Sequence, residues 1–140
     1  MITTEFSGRE TPLMDRRRVL QLFIGLAALH SITLGILNWL FTVNWIGIMG
    51  IPFSGFAFWP RQSGAFLISL GMAYGLGAVS LRYIQASTLV MIFSKSVAVL
   101  FLFSEFFLRS APLAILFAGL GDLGMLIVVT ALAWSVFLSK

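Results

Sequence analysis

Two apolar runs, residues 84–108 and 112–138, each carry one charge near the middle: Lys95 about eleven residues into the first, Asp122 about ten residues into the second. Each run exceeds the roughly 20 residues that span a bilayer. A lysine or aspartate at the centre of a membrane helix costs about 2.5–3.5 kcal/mol on insertion scales. The break between the runs, Leu108-Arg109-Ser110-Ala111-Pro112, is short enough to force an antiparallel hairpin. Such a hairpin brings both charges to one depth, where each relieves the other, so Lys95 and Asp122 are expected to face each other.

The rest of the chain fits the same solvent. Of its 140 residues 59% are hydrophobic and 10% charged, against about 25% charged in an average soluble domain, which excludes a soluble reading. The net charge of +4 comes from basic residues too few and scattered to form a phosphate-binding face, so a nucleic-acid partner is not expected. With no cysteine in the chain, disulfides, thiolate metal sites and thiol nucleophiles are excluded together. The basic lead into residues 19–43 has the order of a signal peptide. The run continues well past Ala27-Ala28-Leu29-His30, however, beyond the roughly 7–15 residues of a signal core. It reads as an uncleaved first membrane helix.

The expected fold is all-α: a polytopic four-helix membrane bundle with helices at about 19–43, 63–81, 84–108 and 112–138. A tail (1–15) precedes the membrane domain (16–140), and an aromatic loop (44–62) rich in Trp, Phe, Gly and Pro follows the first helix. Thr11-Pro12 offers a cap and an early proline, with Asp15 in the first turn. Arg16, Arg17 and Arg18 then meet headgroups and set orientation. The aromatic loop is expected to lie along the bilayer surface, where Trp collects, or to cover a lipophilic site. In the second helix Gly71 and Gly75 form a GxxxG pair that allows close helix approach. Ala118 and Gly119 play the same part beside Asp122, and Ser87, Met91, Ser94 and Ala98 line a close-packed stripe beside Lys95. Glu105 and Arg109, four apart, suit an ion pair at the interface. Four crossings put Arg9, Arg16, Arg17, Arg18, Arg82 and Lys140 on one side, against Arg61 and Arg109 on the other. The positive-inside rule then places both termini in the cytoplasm.

At about 1.5 Å of rise per residue, each helix contributes one ionisable or phenolic group near mid-membrane: His30, Tyr74, Lys95 and Asp122. Three readings stand. These groups satisfy one another and pin the helices in register, or line a site for a small lipophile or a proton, since intramembrane ionisable residues mark sites by default, or one or more of them snorkels to the surface. No Walker, Rossmann or nucleophile-elbow pattern is present, and catalytic residues are not identified. One histidine without cysteine does not make a zinc site, so no metal is expected. A single histidine suffices for a five-coordinate haem or a chlorophyll, which leaves His30 as the residue through which either would bind. A quinone is the other cofactor compatible with the layer.

The basic lead into helix 1, the loop ending Phe58-Trp59-Pro60, the glycine-rich stretch 64–77, Lys95 in helix 3 and Asp122 in helix 4 together resemble the small bacterial four-helix DoxX-like membrane proteins. The resemblance spans about residues 16–138. It implies a four-helix fold in a bacterial cytoplasmic (inner) membrane and, through members associated with quinone-linked redox systems, a lipophile site. The expected function is non-enzymatic: an accessory subunit of a membrane complex or a small homo-oligomer. The alternative is a lipophile- or quinone-binding redox or proton-coupled transport protein using the midplane groups.

Overall fold

The computed structural model describes residues 12–138. Regular structure in that span is all helical: α1 (Pro12–Leu40), α2 (Thr42–Ile48), α3 (Phe58–Val79), α4 (Ile84–Arg109) and α5 (Leu113–Ala133), the last running on into a π-helical turn at Trp134–Leu138. Four stretches, Arg16–Leu40, Phe58–Val79, Ile84–Arg109 and Leu113–Leu138, are long and apolar enough to cross a membrane. Of the expected tail (1–15), residues 12–15 belong to α1, while residues 1–11 with the Thr11 cap, and the orientation counts for Arg9 and Lys140, lie outside the described residues.

Boundaries differ from expectation where local chemistry outweighs apolar pattern. The first helix begins at Pro12 rather than near residue 19, because arginine is a good helix former and proline is tolerated at the first helical position. Arg16, Arg17 and Arg18 are thus exposed within its first turns. It stops at Leu40, short of residue 43. There the Thr42 hydroxyl donates to the carbonyls of Asn38 (2.5 Å) and Trp39 (3.2 Å), and such back-bonding competes with the helical ladder and bends it. Phe41 takes up the bend (φ −116°, ψ 31°), and the chain resumes as α2.

The expected loop 44–62 is therefore partly helical at both ends. Most of α2 fills its start, and it closes at Gly50, whose φ of 70° is inexpensive for glycine alone, with Pro52 following as a stop. Its end belongs to α3, which starts at Phe58, five residues before the expected 63. Pro60 lies in that first turn, where its missing N–H has no intrahelical acceptor to lose. Phe56 stacks on Phe58 (6.1 Å between centroids) and Trp59 packs edge-on against Phe58 (5.1 Å).

The remaining turns are tight. Ser80 to Tyr83 joins α3 to α4, with the Tyr83 N–H donating to the Ser80 carbonyl at 3.1 Å. At the far end α4 closes on Ser110 in a left-handed conformation (φ 53°). The N–H groups of Ser110 and Ala111 both donate to the Glu105 carbonyl, and the Glu105 carboxylate meets Arg109 at 3.4 Å.

Antiparallel α1 and α3 meet along a seam of small residues. A Cβ placed on Gly71 would stand 2.9 Å from the Ala28 carbonyl oxygen, and one on Gly35 or Gly64 would stand 2.7 Å from the other's carbonyl oxygen. Gly25 faces Ala78. On α3 the seam is Gly64, Gly71 and Ala78, a seven-residue period that stays within about 20° of one face of a straight helix. Gly75, expected as the partner of Gly71, is off this seam: a Cβ there would meet nothing within 4 Å. A step of four residues rotates it by about 40° from Gly71. On α5 Gly119 packs against Phe103 and Leu102 of α4, while Ala118 is only half-buried.

The buried apolar core, built from residues such as Leu20, Ile24, Tyr74, Met91 and Val129, lies toward the end that holds the start of α1, the α3–α4 turn and the finish of α5. The opposite end, under α2 and the aromatic loop, buries fewer large side chains. It is closed by small-residue contacts and by the approach of Gly50 to Pro112, where an added Cβ would stand at 3.7 Å.

Candidate functional site

The polar layer is built where the core gives way to this looser half. Lys95 Nζ donates to Asp122 Oδ1 at 2.5 Å, with side chains 7% and 15% exposed. The pair ties α4 to α5. Both residues sit mid-helix, so no capping group or terminus supplies an alternative partner, and each charge depends on the other.

Tyr74, 1% exposed, shares a hydrogen bond between its hydroxyl and that of Ser94, the residue before Lys95. Ser94 also donates to the Met91 carbonyl (3.1 Å). Seven residues earlier on α4, the Ser87 hydroxyl donates to the Ala73 carbonyl of α3 at 2.7 Å. That approach is possible because Gly77 lies opposite, where a Cβ would stand 2.8 Å from the same hydroxyl oxygen. Ser87 and Ser94, read from the sequence as small packing residues, are therefore the polar ties between α3 and α4. Their seven-residue spacing on one face of α4 was the available signal. A further tie, Gln21 Nε2 to the Gly77 carbonyl (3.5 Å), links α1 to α3.

His30 behaves differently. It lies within electrostatic reach of both Lys95 and Asp122, yet it is exposed on α1. The structure thus pairs Lys95 with Asp122, anchors Tyr74 next to them through Ser94, and leaves His30 at the rim. Among the described residues no group of three or more His, Asp or Glu side chains is arranged to hold a metal ion.

Beside the layer an apolar groove of about 610 Å³ runs between α3 and α4. It is lined by Leu70 of α3 and by Leu89, Phe93, Ser94, Val97 and Phe101 of α4.

Over the described residues, fold and site together define an all-helical bundle with four potential membrane spans, cross-braced by an ion pair at mid-height and by serine ties between α3 and α4. Comparison with protein-family models, with curated proteins and with solved structures finds no match.

Proposed function

We propose that the protein is a small non-catalytic component of a bacterial cytoplasmic membrane, an accessory subunit of a larger membrane complex or a self-associating module. In this reading the polar layer holds the bundle in register and α5 makes the contact. The observation that carries it is the bareness of α5: 11% of its most apolar window is buried within the chain, against 33% for α1. Gly121 and Gly124, where an added Cβ would meet nothing, leave a shallow surface on α5 for another helix. Both termini face the cytoplasm in the same proposal, following the arginine bias, and kinship with the DoxX-like proteins belongs to it as well.

Purification from native membranes in mild detergent tests the reading. A stoichiometric partner chain or a discrete homo-oligomer is expected, and a lone monomer would sink it.

A second reading is favoured by His30. An exposed imidazole at mid-span beside an ion pair is costly against lipid, and a bound lipophile with a polar head would cover it. A quinone fits that description, as does a haem or chlorophyll held through His30. Organic extraction of the purified protein discriminates: a lipophile or pigment lost on His30→Leu supports this reading, and its absence from the wild-type protein refutes it.

A further inference from the structure

The groove between α3 and α4 is walled by hydrocarbon, and its one polar residue is already committed. The Ser94 hydroxyl is engaged by Tyr74 and by the Met91 carbonyl. An occupant with a polar head at this depth would find no free partner, so the groove suits a hydrocarbon chain whose head lies elsewhere. From Leu89 to Phe101 it extends about 18 Å at helical rise and is centred on the level of Lys95, so its half from Leu89 to Ser94 lies in the leaflet on the Arg82 side.

The turn joining the two walls necessarily lies at one end of the cleft between them, and it carries Arg82. Arg82 is exposed, and its guanidinium lies 5.7 Å from the centre of the Tyr83 ring. Among the described residues the ion pairs are Lys95–Asp122 and Glu105–Arg109, so no described carboxylate neutralises Arg82. It stands about 10 Å along the axis from Leu89, at headgroup depth when the groove lies in hydrocarbon. Arginine binds phosphate oxygens bidentately, and a half-exposed tyrosine beside it suits the interface.

The geometry points to a binding site for one anionic glycerophospholipid, its phosphate on Arg82 and one acyl chain in the α3–α4 groove. This site is independent of the association through α5 and of the lipophile at His30.

Native mass spectrometry of the full-length protein, titrated with phosphatidylglycerol and with phosphatidylcholine of the same chains, tests it. Phosphatidylglycerol is expected to bind at least fivefold more tightly. Arg82→Gln removes that preference and leaves phosphatidylcholine binding unchanged, whereas Arg61→Gln, at the other end of the bundle, keeps it. Val90→Trp, which fills the half of the groove on the Arg82 side, weakens both lipids at least fivefold. Leu89→Trp is the second groove variant should Val90→Trp misfold by circular dichroism. Equal affinities for the two lipids in the wild-type protein overturn the site, as do groove variants that bind normally. A preference that survives Arg82→Gln but is lost in the Arg16→Gln, Arg17→Gln, Arg18→Gln triple variant assigns the anion to α1 and equally overturns it.

Discussion

Lys95 and Asp122 join α4 to α5 through one ion pair between largely apolar helices. Each charge alone is expensive, and at 2.5 Å each removes most of the other's penalty. In a purely structural role the pair would add little net stability, because replacing a buried ion pair by apolar residues of similar volume is often neutral. Lys95→Met or Asp122→Leu alone is therefore expected to cost about 3–5 kcal/mol by stranding one charge, and the double variant to recover most of it. Thermal unfolding in detergent measures all three, and a double variant as unstable as the worse single would contradict the structural role. If the double variant folds but loses a bound ligand, the layer serves a site. Tyr74→Phe removes a single shared hydrogen bond with Ser94. Interhelical hydrogen bonds in membrane bundles average about 0.6 kcal/mol, so a loss of about that size is expected in the same assay.

At the scale of the helix, the seam between α1 and α3 separates glycines that are needed from glycines that are incidental. Gly71 and Gly75 form a GxxxG pair in the sequence, but a Cβ at Gly71 collides with α1 backbone while one at Gly75 reaches open space. Gly71→Ala is expected to destabilise by about 1–3 kcal/mol through overpacking. Gly75→Ala is expected to be neutral or to gain about 0.5–1 kcal/mol from helix propensity. Equal effects at the two sites would show that the seam does not follow the seven-residue period. Ser110, left-handed without being glycine, marks a stop of similar kind. Left-handed backbone costs a non-glycine residue about 1–2 kcal/mol, so Ser110→Gly is expected to leave the α4–α5 hairpin intact and raise its thermal midpoint slightly.

For the whole molecule, antiparallel packing puts the start of α1 and the Arg82 turn at one end, and the aromatic loop and Ser110 at the other. Because the chain has no cysteine, single cysteines report cleanly on the proposed orientation. In intact cells Ser54→Cys should react with a membrane-impermeant maleimide and Arg82→Cys should not, while both react after lysis. The reverse pattern would turn the bundle over. The bundle is also uneven along its axis, with its core near the arginine end and its looser half beneath the loop, so solvent exchange is expected to be faster at the Ser54 end.

Four apolar spans, the pairing of Lys95 with Asp122 and the Glu105–Arg109 contact were legible in the sequence, because each follows from a local rule: run length, an isolated charge in an apolar run, or a four-residue spacing. Helix ends were less legible, since Thr42 back-bonding and Pro60 in a first turn act through hydrogen bonds that composition does not display. Which face of α3 meets α1, why Gly71 matters and Gly75 does not, that Ser94 rather than His30 completes the layer around Tyr74, and that α5 stays bare were decided only by tertiary structure. A helix that is apolar all round, in a solvent as apolar as its own side chains, has no contrasting polar face to mark which side is buried. That choice falls to shape and to the few polar ties, both of which exist only once the helices are together.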